Sequence, residues 1–133
     1  MIDAGAAIRA YCAAFAARDA DSIVALFAER GLYEMPLLRT RMVGSAEIAA
    51  GLARAFAIMT ACSIELQRVR ANGATALAEG TMTATVAREP RPMTAPFALV
   101  AAMAGDRVGR LSVYLDARPH RLWSDGSVLA LGR

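Results

Sequence analysis

Hydrophobic positions along this chain change their period part-way through. In the first half they recur every three to four residues, the spacing of a helix with one buried face. Asp3 stands where a cap would, ahead of Ile8, Tyr11, Cys12 and Phe15, which share a stripe. The segment "RDADS" interrupts this. Asp21 is then the expected cap of a short second helix carrying Ile23, Leu26 and Phe27 and ending near Arg30-Gly31. Leu32 to Met35 reads as a short strand stopped by Pro36, followed by an irregular or weakly extended link over 37–43. Ser45 is the expected cap of a third helix, with Glu47 in its first turn and Ile48, Leu52, Phe56 and Met59 on its buried face.

From Cys62 onward the period becomes two. "SIELQRVRA" alternates, and Asn72-Gly73 is a strong hairpin signal. "ATALAEGTMTATVA", "MTAPFALVAAMA" and "VGRLSVYLDA" follow as long strands, joined by "REPRP" and "GDR". Residues 119–133 form a tail containing His120 and Trp123. Helices first and a meander afterwards predict an α+β fold: a curved antiparallel sheet with three helices packed on its concave face. The chain, 1–133, reads as a single domain. The segment "PFALVAAMA" is apolar on both parities, so it is expected to be buried on both faces. One face would meet the helices. The other, with Phe97, Leu99, Ala101 and Met103, would form a homodimer contact.

Composition narrows the function. Hydrophobic residues make up 56% and charged residues 20%, which places the chain among globular proteins. No apolar run is long enough for a membrane helix. "AIRAYCAAFAA" carries Arg9 and lacks a cleavage pattern, so it reads as part of the mature protein. Cys12 and Cys62 fit no metal or redox spacing and read as thiols of a reducing, cytoplasmic compartment. The net charge is +3, and all fifteen basic residues are arginines, scattered rather than gathered into a stripe. That argues against nucleic acid as a partner. A lone His120 cannot build a metal site.

The segment "YCAAFAARDADSIVALFAERGLYEMP" and the ending "RLSVYLDA" resemble the SnoaL-like and ketosteroid-isomerase-like superfamily, the cone fold of nuclear transport factor 2. The resemblance covers roughly residues 6–118. It implies a half-barrel with a pocket inside and no cofactor. Ketosteroid isomerases move a proton with a carboxylate at the position of Met35, and a thioether cannot take a proton. Their protonated aspartate falls at Ala98, which has no donor. Their helical tyrosine matches Tyr11. Limonene epoxide hydrolases are also similar. Their tyrosine matches Tyr33, but their late-strand aspartate falls at Val113, and their arginine and its partner, a second aspartate, fall near Gly80 and Met82.

Combined with strand alternation, the resemblance puts Gly80, Met82, Ala84, Ala98, Val100, Leu111, Val113 and Leu115 on the concave side. With Tyr11, Tyr33 and Met35, the residues Met82, Ala98, Val100, Val113 and Leu115 are therefore the expected ligand contacts. Glu34, Glu79 and Asp116 have the opposite parity, and each could act as a displaced base only through a bulge. Three functions follow. The first is binding of a hydrophobic or aromatic small molecule, with Tyr11 as the polar handle. The second is an isomerase, cyclase or hydrolase using Tyr11 with Glu34 or Asp116. The third is a dimeric association module whose cone is filled by its own side chains.

Overall fold

The computed structural model describes residues 2–89 and 91–115. Asp116, His120, Trp123 and the expected tail lie outside them.

The first helix, α1 (Ala4–Ala16), starts as its sequence dictates: Asp3 accepts from the Ala6 amide at 2.8 Å. Its stripe of Ile8, Tyr11, Cys12 and Phe15 is buried. Burial of side chains the size of Ile8 and Phe15 contributes about 1.5–3 kcal/mol each. The helix ends at Arg18, which takes a left-handed conformation (φ 55°). From there its guanidinium donates to the Met59 carbonyl.

The second helix, α2 (Ala20–Leu26), is capped by Asp19 rather than Asp21. Asp19 accepts from both the amide and the hydroxyl of Ser22, whereas Asp21 lies in the first turn. This helix is shorter than expected. Strand β1 (Phe27–Met35) begins immediately, so Gly31 is a strand residue and not a helix stop. An added Cβ at Gly31 would lie 2.9 Å from the Phe27 ring and 3.0 Å from the Val108 carbonyl. Close approach of neighbouring strands explains that glycine.

A 3-10 turn (Pro36–Leu38) and β2 (Thr40–Val43) occupy the expected irregular link. In α3 (Ser45–Ile58) the cap is Gly44, at φ 86°, where serine would be strained. The Glu47 carboxylate reaches back to accept from the Val43 amide at 2.8 Å. Ile48, Leu52 and Ala55 form the buried face of this helix.

Four long strands follow: β3 (Met59–Asn72), β4 (Thr75–Val86), β5 (Met93–Ala104) and β6 (Arg107–Leu115). The Asn72-Gly73 turn is where the sequence puts it, joining Asn72 to its partner Thr75. Among the described residues six strands lie in the order β2-β1-β6-β5-β4-β3. Neighbours are antiparallel, with one exception to the all-antiparallel expectation: β1 runs parallel to β6. The helices pack over one face of the sheet, with α1 against β3 to β6 and α3 against β1, β2 and β3. This is the open α+β cone that the sequence predicts.

Candidate functional site

The face of α1 that meets the sheet carries Tyr11, Cys12 and Phe15. Beneath it is a cavity closed by Met35 of β1, Ile64 of β3, Met82 of β4, Phe97 and Leu99 of β5, and Val113 and Leu115 of β6. Counted out to its mouth the space is about 380 Å³, but the part that a water can occupy is about 20 Å³. That is room for roughly one water molecule. Apart from the Tyr11 hydroxyl, the lining side chains present only carbon and sulfur.

Tyr11 does not stand alone. Its hydroxyl oxygen lies 2.5 Å from that of Tyr33, and both residues are buried. Tyr33 is completely inaccessible and does not line the cavity; it sits behind Tyr11 as a second layer. Its ring is stacked on Phe27 at 5.6 Å and meets Tyr11 edge-on at 5.8 Å. Phe15 flanks Tyr11 on the other side at 5.8 Å. Two hydroxyls carry two protons, and their mutual hydrogen bond uses one. Among the described residues the second proton has no acceptor.

Burial also fixes the protonation states. It raises the pKa of Tyr11 well above the ordinary phenol value, with Tyr33 adding to the rise, and raises that of Tyr33 as well. Burial pushes the Cys12 thiol up to about 12 and the Cys62 thiol up to about 11, the latter despite the opposing charge of Arg18. All four groups stay neutral at physiological pH, so the site can donate a proton in a hydrogen bond but, among the described residues, holds no ionised base or thiolate nucleophile.

Each folded-state pKa is above its unfolded value, so the stability these groups contribute is full below the unfolded value and is lost as pH rises. The urea midpoint is expected to fall from near pH 9.0, where an unfolded thiol ionises, and more steeply above pH 10.0, where an unfolded phenol does. Replacing both tyrosines with phenylalanine should flatten the second part of that decline. A midpoint unchanged up to pH 11 would contradict the burial of these groups.

The family model for the SnoaL-like domain matches residues 8–111. The chain belongs to the SnoaL-like domain family. No curated protein sequence matches it significantly. Solved structures share the fold at low identity. One is a protein with the ketosteroid isomerase-like fold from Catenulispora acidiphila, in complex with trimethylamine. It has a TM-score of 0.77 and 21% identity, covering 97% of this chain and 93% of that one. Another is an LEH-like epoxide hydrolase of M. tuberculosis, with TM-score 0.71 and 21% identity, covering 93% and 87%. A third is TerC co-crystallised with polyporic acid, with TM-score 0.75 and 20% identity, covering 90% and 95%.

Within this SnoaL-like domain, Tyr11, Met35, Met82, Val113 and Leu115 come together as wall residues of one cavity. Tyr33 joins them only through Tyr11. Ala98 and Val100 do not join them. They are half-buried on the outer face of β5, opposite Tyr114 and Ser112. The inward residues of that strand are Phe97, Leu99 and Ala101, which reverses the expected parity and the expected homodimer face. The physical reason is volume. Phe97 pairs with Gly80, and its ring fills the space that glycine leaves, so Gly80 does not open the wall as its size suggests.

The candidate carboxylates are also accounted for. Glu34 points to the outer face and accepts from Ser112 at 2.7 Å. Glu79 is exposed and paired with Arg68 at 2.9 Å. Neither lines the cavity. Among the described residues no three His, Cys, Asp or Glu side chains cluster as metal ligands.

Sequence reasoning missed Cys12, Phe15, Ile64, Phe97 and Leu99 as wall residues. The first two already stood on the buried stripe of α1, and Ile64 follows from the alternation of β3. The larger side chains of β5 could have been assigned inward on volume. The pairing of Tyr11 with Tyr33 left no local signal.

Proposed function

We propose that this SnoaL-like domain binds a compact apolar molecule bearing a hydrogen-bond acceptor, in the cavity between α1 and the sheet. The observation that carries this reading is the second hydroxyl proton of the Tyr11–Tyr33 pair, buried beside an apolar cavity with no acceptor among the described residues. A buried donor left unsatisfied costs about 1–3 kcal/mol, so a ligand that accepts this proton recovers that cost. The small enclosed volume means that a ligand enters by displacing side chains. Met35 and Met82 suit this because thioether chains re-pack easily. Two structural neighbours hold small molecules, trimethylamine in one and polyporic acid in the other, which supports the same use of the fold here. The free thiols of Cys12 and Cys62 support a cytoplasmic location.

Binding can be followed by calorimetry and thermal shift with a panel of small ketones, quinones and hydrocarbons. Acceptor-bearing probes should bind. Tyr11→Phe should weaken them by up to about tenfold, since one net hydrogen bond is worth about 0.5–1.5 kcal/mol. Ala98→Leu, on the outer face, should change nothing. If no probe binds, or if Ala98→Leu weakens binding as much as Tyr11→Phe does, this reading is wrong.

A second reading, homodimer association through the outer face of the sheet, has its own support. Leu77 and Tyr114 are 54% and 39% exposed there, next to half-buried Ala98 and Val100. The exposed Arg68–Glu79 pair flanks these residues, Glu79 lying opposite Ala98, and exposed apolar side chains rimmed by polar ones mark an interaction surface. Sedimentation at micromolar concentration should give twice the 14.0 kDa chain mass. Val100→Glu, opposite Leu77, should return the monomer while leaving probe binding intact. A wild-type monomer would remove this reading.

A further inference from the structure

We propose that Tyr33 donates its proton to Tyr11, and that this polarity makes the cavity a site with one hydrogen to give and none to receive. It would then select a carbonyl-type oxygen over an alcohol of the same shape. The polarity follows from where each hydroxyl can find a partner. The oxygens lie 2.5 Å apart, and either could donate. If Tyr11 donated, the proton of Tyr33 would be stranded, because Tyr33 is fully inaccessible and is not part of the cavity wall. If Tyr33 donates, the remaining proton belongs to Tyr11, which is part of the wall beside space for one water. The second arrangement strands nothing that a water or ligand cannot satisfy. Stacking on Phe27 holds the Tyr33 ring in place, which makes Tyr33 a positioning residue for the Tyr11 donor. Accepting a hydrogen bond also polarises the Tyr11 hydroxyl and strengthens it as a donor.

Selectivity follows from the rest of the wall, and this half rests on the ligand reading above. A ketone or quinone oxygen takes the Tyr11 proton and leaves nothing over. An alcohol can also take it, but brings a proton of its own. Met35, Met82 and Cys12 offer only sulfur, a weak acceptor. The alcohol's proton is then buried without a partner.

Two measurements test the two halves separately. Urea unfolding of Tyr11→Phe, Tyr33→Phe and the double variant reads the polarity without any ligand. Tyr11→Phe should lower the folding equilibrium constant roughly tenfold more than Tyr33→Phe, because it strands the Tyr33 proton. Adding Tyr33→Phe to Tyr11→Phe should recover part of that loss. Tyr33→Phe alone should still destabilise relative to the wild type, because it removes a satisfied donor. Equal losses, a reversed order, or a Tyr33→Phe variant as stable as the wild type or more so, as expected if Tyr11 donated and the Tyr33 proton were already stranded, would overturn the polarity. Calorimetry with 1-indanone and 1-indanol reads the selectivity. The ketone should bind the wild type about tenfold more tightly, and Tyr11→Phe should abolish the preference. Equal binding of the two by the wild type overturns the selectivity. Failure of both to bind removes it along with the ligand reading, while the unfolding order still decides the polarity.

Discussion

A β,γ-unsaturated ketone offered to this protein should be isomerised at least about 10⁴-fold more slowly than by a protein of this fold that has both a carboxylate in place of Met35 and an acidic donor in place of Ala98. A positioned base contributes about 10²–10⁴-fold to proton transfer, and a preorganised oxyanion donor about 10²–10³-fold. Met35 lines the cavity where the resemblance to ketosteroid isomerases puts the proton shuttle, and it is buried among apolar side chains. The position carried over for the acidic donor, Ala98, is on the outer face, and the inward residues beside it, Phe97 and Leu99, have no donor either. Only Tyr11 is left. Met35→Asp should raise the rate by about 10²-fold, the lower end of what a positioned base supplies. That gain should grow with pH, because a carboxyl buried in apolar surroundings ionises late. Efficient turnover by the wild-type chain in a double-bond isomerisation assay would show that the base has been misplaced.

Gly80→Ala should be among the most destabilising single substitutions in the sheet, at about 3 kcal/mol. A Cβ at this position would lie 2.5 Å from the Glu65 carbonyl and 2.6 Å from the Phe97 ring. Neither neighbour can give way cheaply. The carbonyl belongs to the paired backbone of β3, beside the irregularity between Leu66 and Arg68. The ring is packed into the core between β4 and the cavity. In a domain of this size the melting temperature should fall by roughly 10 °C. Adding Phe97→Leu should recover only part of this, because the carbonyl contact remains. A loss below about 1 kcal/mol would mean that the two strands are spaced more loosely than described, since overpacking a tight site costs about 1–3 kcal/mol.

Much of the fold was legible because period and punctuation agree. The stripe of α1, the Asn72-Gly73 turn and the alternation of β4 each point to one structure. The errors fall where a local signal had two physical meanings. Gly31 looked like the end of a helix but is demanded by neighbouring strands. Asp19 and Asp21 are both able to cap α2, and only the position of Ser22 decides between them. In β5 both parities are apolar, so alternation carries no information, and the choice between Phe97 and Ala98 rests on the volume across the sheet at Gly80. The site was legible residue by residue, through Tyr11, Met35, Met82, Val113 and Leu115. Its central feature was not. Tyr11 and Tyr33 lie on different elements, and only tertiary packing brings their hydroxyls together.

The parallel pairing of β1 with β6 has a consequence for the order in which the molecule can assemble. β3, β4 and β5 are joined by their own turns and can zip up as they emerge during synthesis. β1 and β2 cannot join them, because the strand between β1 and β5 is β6, the last of the described strands. Phe27 waits for Val108, and Tyr33 for Leu111. Until β6 is made, the sheet exists as two separate pieces, and Tyr33 has no strand to hold it behind Tyr11. Contacts so distant in sequence close late and slowly. Completion of the cone therefore waits for β6, and a ribosome stalled before Leu115 would hold a chain whose apolar interior is still open to chaperones and proteases.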